Sequence, residues 1–152
     1  MGRFRFRLEA IRSSLEAFCA DFDAINDKLA MRRELPTEQM VSSIVEAYDY
    51  LNTLIAADTP LFERKELHYL LELNHIVLCG RDPAERQAVW SHLAETRKSF
   101  SCRIRPIEDF VRRDMNAKKP YRTATGFYTR MLSRPQLFLE GNHRTGNIVL
   151  NY

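Results

Sequence analysis

Apolar residues near the start of the chain recur at helical spacing. Leu8, Ile11, Leu15, Phe18, Phe22, Ile25 and Leu29 step by alternating threes and fours, which lays one apolar stripe along a helix of about three heptads. Such a stripe either packs on its own domain or pairs with a second chain as a coiled coil. Three heptads is the lower limit for the coiled coil, so packing on the domain is the default.

Helical spacing also governs most of the remaining chain. Pro36 and Thr37 open a second predicted helix, with Val41, Ile44, Tyr48, Leu51 and Ile55 on one face. Thr59-Pro60 supplies a cap and a first-turn proline for a third, which Gly80 closes after Cys79. Asp82-Pro83-Ala84-Glu85 is a capping-box-like start, so a fourth helix is expected to run to about Lys98. Residues 99–105 are the one stretch that supports extended structure, a short strand or hairpin arm at most. Pro106 is expected to open a fifth helix through about Met115. Pro120 and Pro135 bracket a sixth, carrying Phe127, Tyr128, Met131 and Leu132. A seventh begins near Asn142 and reaches Tyr152 without glycine, proline or basic cap, so the chain is expected to stop inside a buried helix. The expected fold is all-α, with an N-terminal helix in residues 1–36 and a helical domain in residues 37–152 that form one compact unit. No repeat, low-complexity tract or linker suggests a second domain.

Composition narrows the class. At 152 residues the chain is long enough to bury one core, and 45% hydrophobic with 28% charged residues argues against disorder. The run Ile76-Val77-Leu78-Cys79 is far too short to span a bilayer, and the basic start Met1-Gly2-Arg3-Phe4-Arg5-Phe6-Arg7 has no apolar stretch behind it, unlike a secretory signal. Cys19, Cys79 and Cys102 lack metal-like spacing and read as reduced thiols of a cytoplasmic protein. Net charge is +3 but uneven: residues 1–100 hold 13 Lys/Arg against 16 Asp/Glu, and residues 101–152 hold 10 against 4. A basic last third suits a phosphate-bearing ligand or nucleic acid, and equally a solvated basic face.

The chemical signal lies in Gln136-Leu137-Phe138-Leu139-Glu140-Gly141-Asn142-His143-Arg144-Thr145-Gly146-Asn147. A short apolar loop leads to an acidic residue and a Gly-Asn pair at the start of a new helix. Unpaired N–H groups and the positive end of the helix dipole make such a start an anion site. Gly141 lets the backbone approach a ligand closely, and Arg144 is placed for a second phosphate contact. Glu140 beside an anion makes electrostatic sense with a divalent cation between them. An ordinary interhelical turn with Asn142 as N-cap explains the same residues.

This stretch resembles the signature of Fic/Doc proteins, His-x-Phe-x-(Asp/Glu)-Gly-Asn-Gly-Arg-x-x-Arg, with Phe138, Glu140, Gly141, Asn142 and Arg144 in register. Upstream, residues 67–80 are similar to the family's helix with a buried histidine, here His75. Ser42-Ser43-Ile44-Val45-Glu46-Ala47 is similar to the inhibitory motif Ser/Thr-x-x-x-Glu-Gly/Asn, with Ala47 in the last place. The resemblance covers about residues 40–152. It implies a Fic/Doc-like helical domain with an extra long N-terminal helix, a cofactor of ATP with Mg²⁺, and transfer of a nucleotidyl group to a hydroxyl of a target protein. It further implies that Glu140 holds the metal, that Gly141, Asn142, His143 and Arg144 form the phosphate turn, and that Glu46 covers the pocket. The family's helices after the motif are absent, so the resemblance implies a fragment or a domain completed by something else.

Three positions depart from the signature. Gln136 stands where the base belongs, and a carboxamide accepts no proton at physiological pH. His143 replaces the second glycine of the turn. Asn147 replaces the second arginine and with it the partner of Glu46. Loss of a general base costs ~10²–10⁴ in rate, so phosphate binding is expected to outlast transfer. Of the other candidates, His68 and His75 sit on a largely apolar helix and read as core histidines. His92 has no companions at ligand spacing. The Arg3-to-Arg7 alternation reads as a frayed terminus, and Ser42, Glu46, Asp49 and Thr53 as a polar stripe. Lys118, Lys119, Arg122, Arg130 and Arg134 come without a recognition-helix or aromatic-sheet pattern, so no specific nucleic acid partner is expected. Two functions fit: a degenerate Fic-like domain binding a nucleotide or phosphate compound, or a non-catalytic helical module that binds a protein partner or itself.

Overall fold

The computed structural model describes residues 4–31, 33 and 35–152, and all of the regular structure in them is helical. In chain order the helices are α1 (Leu8–Ala20), α2 (Phe22–Asn26), α3 (Glu38–Ala56), α4 (Leu67–Cys79), α5 (Pro83–Ala88), α6 (Trp90–Asn116), α7 (Pro120–Leu132) and α8 (Asn142–Val149). No helix among the described residues is long and apolar enough to cross a membrane.

The core is built around α4. Its sequence is apolar on nearly every face, as expected of a helix wrapped on all sides. Leu70, Leu73, Ile76 and Val77 are sealed from solvent, each contributing about 1.5–3 kcal/mol of transfer free energy. Helices α3, α6 and α8 pack around α4, and α7 bridges α6 to α8. The sides meet closely at two glycines. A Cβ on Gly126 would lie 2.3 Å from Phe110 Cζ, and one on Gly146 would lie 2.2 Å from Met131 Cε.

Several helix limits differ from those expected. The single N-terminal helix is two, interrupted at Asp21, and it ends at Asn26 instead of reaching Leu29. Only Phe22 of its stripe is fully buried, so little packing holds a longer helix together. Asn26 then turns the chain, donating to Arg33 O (3.0 Å) and accepting from Arg33 N (2.7 Å). The third expected helix starts at Leu67 and not at Pro60. The intervening residues form turns in which Glu63 N donates to Pro60 O and Glu66 N to Glu63 O, while Leu61 plugs the core. That segment comes after a Schellman-type end to α3: Asp58 has φ 57° and Thr59 N donates to Leu54 O at 3.0 Å. The fourth expected helix divides at Val89.

Residues 99–105 are helical, and Pro106 lies inside α6 instead of opening a helix. An interior proline costs ~3 kcal/mol. Phe100, Ile104, Ile107, Phe110 and Val111 bury one continuous face across it, and their combined transfer free energy exceeds that cost. The alternating start is not frayed at Phe6, whose N–H donates to Asn52 Oδ1 (2.8 Å) and whose carbonyl accepts from Asn52 Nδ2 (3.0 Å); Arg3 lies outside the described residues. At the other end Ile148 and Val149 are buried, but the helix stops there, and Leu150, Asn151 and Tyr152 are exposed.

Gly126→Ala sets two effects against each other. Alanine gains up to about 1 kcal/mol of helix propensity, and overpacking against the Phe110 ring costs about 1–3 kcal/mol. Urea unfolding of the variant is expected to show a net loss of stability. A gain would mean that α6 and α7 are not in this contact.

Candidate functional site

Residues 133–141 connect α7 to α8, so the expected loop 136–141 is its second part, and Asn142 is the first residue of α8, as the sequence indicates. The loop is anchored from within. Leu137 and Phe138 are core residues, and the Phe138 ring stacks on Phe100 of α6 at 5.5 Å with planes 6° apart. The Asn142 side chain turns back into the loop. Its Oδ1 accepts from Phe138 N (2.9 Å), and its Nδ2 donates to Phe138 O (2.8 Å) and Gln136 Oε1 (3.1 Å). Arg103 of α6 donates to the Gln136 carbonyl. From α4, buried Asn74 Nδ2 donates to Glu140 O and Thr145 Oγ1, both at 3.0 Å.

Gly141 enters α8 with φ 72°, a left-handed conformation that favours glycine, and a Cβ there would sit 3.1 Å from Asn74 Nδ2. Thr145 N–H is the first in α8 to find a helix carbonyl, that of Gly141 at 2.9 Å. The N–H groups of Asn142, His143 and Arg144 find no acceptor among the described residues and project from the positive end of the helix.

The side chains diverge around this point. Glu140 is exposed, with Oε2 3.7 Å from His92 Nε2. The His143 ring leans toward α7, where its Nδ1 is 3.0 Å from Tyr128 OH. Arg144 reaches across to α4, donating to Val77 O at 3.3 Å. The same arginine lines a cavity of about 520 Å³ between α1, α3 and α8, whose walls include Ile11, Leu15, Ile44, Tyr48 and Asn147. Gln136 is held by Asn142 and offers no proton acceptor. No group of three potential metal ligands occurs among the described His, Cys, Asp and Glu residues. Glu140 can therefore supply one carboxylate to a cation, and Mg²⁺ bound together with phosphate oxygens asks for little more.

Glu46 is not brought to α8. Its Oε2 accepts Arg81 N–H at 2.7 Å, fastening the connection after α4, and Asp49 pairs with the Arg81 guanidinium at 3.0 Å. On α3, Ile44 and Tyr48 share a cavity wall with Arg144, Asn147 and Ile148 of α8. His75 is buried on α4, with Nδ1 3.9 Å from Glu72 Oε2 and Nε2 without a partner. Burial lowers its pKa from 6.5 to about 4, against the opposing pull of Glu72.

Sequence reasoning missed Asn74, Arg103 and Tyr128, which position the loop and α8. Asn74 had a readable signal, a lone amide in the apolar run Leu73-Asn74-His75-Ile76. The other two carry none, since each meets its partner only through helix packing. No protein-family model, curated protein or solved structure matches the chain.

The histidine gives a prediction with a definite sign. A base whose pKa is lower folded than unfolded is neutral in the fold and must be charged there at acid pH. Between pH 6.5 and about 4 the unfolded state binds more protons at this residue, so the His75 contribution to stability is complete above 6.5 and is lost as pH falls across that window. Denaturant unfolding at several pH values is expected to show this slope in the wild type and its loss in His75→Gln. An unchanged slope would mean that His75 titrates normally.

Proposed function

We propose that the chain binds a phosphate-bearing small molecule at the start of α8 and does not transfer any part of it. The observation that supports this best is the junction at Gly141. A left-handed glycine opens a helix whose first three N–H groups are free, and its first turn carries Arg144, which also lines a 520 Å³ cavity. That volume lies within the roughly 300–1,000 Å³ usual for small-molecule sites. In this reading the free N–H groups hold phosphate oxygens, Arg144 adds a charged contact from the cavity side, and the apolar wall takes the body of the ligand. Mg²⁺-ATP is the ligand that the resemblance implies, with Glu140 as the protein's ligand to the metal.

The residue at the base position of the signature removes no proton from an attacking hydroxyl. Gln136 is the wrong chemistry, and His143 is engaged with Tyr128. The absence of an arginine at Asn147 weakens the hold on a terminal phosphate. The free thiols at Cys19, Cys79 and Cys102 fit a cytoplasmic setting.

A second reading, a helical protein-interaction module, has its own support. Helix α1 contains no fully buried residue, and Phe18, Leu29, Met31 and Leu35 leave apolar surface on the N-terminal segment exposed.

Titrating ATP with and without Mg²⁺ separates the two. Weak saturable binding is expected, stronger with Mg²⁺, and Arg144→Ala should weaken it by roughly ten- to a hundredfold, the equivalent of about 1.5–3 kcal/mol. Absence of saturable binding by the wild type up to millimolar ATP would leave the interaction module as the better reading. Labelling assays with ATP are expected to show no protein modification by the wild type. Robust wild-type labelling that Glu140→Ala abolishes would overturn the non-transferring assignment.

A further inference from the structure

A second cavity, of about 560 Å³, lies against α4 and α6, and none of its walls comes from α8. Its lining is strongly basic and aromatic. Arg97 and Arg105 come from α6, Arg64 from the turns before α4, and Tyr69, Phe100 and His75 supply ring surface. Arg64 faces Glu108 Oε2 at 3.8 Å, whereas Arg97 and Arg105 have no acidic partner within 4.0 Å among the described residues. The one carboxylate among the described lining residues, Glu72, pairs with Arg86 at 2.7 Å. His75 Nε2, shielded from solvent, has no hydrogen-bond partner among the described residues.

We propose that this cleft is a metal-independent binding site for a small aromatic dianion, gripped at its two ends by Arg97 and Arg105. Eight residues of α-helix place the two Cα atoms about 12 Å apart on one side of α6. Ser101 lies midway between them and lines the cleft too. Guanidinium groups pair with carboxylate, phosphate or sulfonate oxygens through two parallel hydrogen bonds and also stack on rings. Both groups stand beside ring surface without an acidic partner, and a dianion of matching length pairs with the two at once. A hydroxyl or N–H group on the ligand body could use the unpartnered His75 nitrogen after a small ring adjustment. Among the described residues the cleft has no free carboxylate to hold a cation, which distinguishes its chemistry from that of Glu140. The inference is independent of the reading of the α8 junction.

Naphthalene disulfonate, permanently charged and a poor chelator, is the probe. It is titrated calorimetrically into the full chain in the presence of EDTA, with histidine ring resonances monitored in parallel. Saturable binding is expected, weakened by about tenfold in Arg97→Gln and in Arg105→Gln and unaffected by Arg144→Ala. The His75 resonances should move and those of His143 should not. Both arginines are exposed, so the variants are expected to unfold at the wild-type denaturant midpoint. The proposal fails if there is no saturation up to about 10 mM, or if both glutamine variants bind like the wild type. It fails equally if Arg144→Ala abolishes binding, a result that would move the probe to the α8 junction.

Discussion

A single amide buried in α4 holds the loop before α8 in place. Asn74 is sealed from solvent, and its two N–H bonds reach the Glu140 carbonyl and the Thr145 hydroxyl on either side of Gly141. The left-handed turn is thus fixed on both flanks, and it sets the direction in which the first N–H groups of α8 point. Asn74 Oδ1 has no partner among the described residues, and an unsatisfied buried acceptor costs about 1–3 kcal/mol. The fold carries that cost at the point where the loop must not slip. Asn142 completes the arrangement by tying the loop to itself, and the Phe138–Phe100 stack sets its distance from α6.

The parts of the fold that were legible in the sequence are those set by local chemistry. Thr37 caps α3 by accepting from Met40 N (3.2 Å), Asp82 caps α5, and Pro120 stands at the first position of α7. Each signal acts within one helical turn, so the sequence alone carries it. The illegible parts depended on distant residues. Pro106 reads as a helix start until the buried face on both sides of it is known. Thr59-Pro60 reads as a helix start until Leu61 is seen filling the core. Asp58 closes α3 in a left-handed conformation where glycine or asparagine is the usual signal.

The candidate site divides along the same line. The α8 start and the exposed carboxylate of Glu140 were legible from residues adjacent in sequence. The orientations of Arg144 and Glu46 were not, because both reach across to the end of α4. Spacing places a residue on a helix, but a long side chain goes where an acceptor is waiting. The carbonyl of Val77 and the N–H of Arg81 are set by how α3, α4 and α8 assemble. The arginine cleft draws on positions from Tyr50 to Arg105, and no local pattern links them.

The shallow seating of α1 bears on how a ligand reaches the cavity beside Arg144. Proteins open locally first where the fewest apolar contacts and the most exposed backbone bonds are lost, and α1, with no fully buried residue, is such an element. It forms one wall of that cavity through Ala10, Ile11, Ser14 and Leu15, and the Asn52 clamp on Phe6 ties its leading end. Detachment of α1 would uncover the cavity while leaving α4, α6, α7 and α8 packed. Helix α1 would then act as a hinged wall of that cavity.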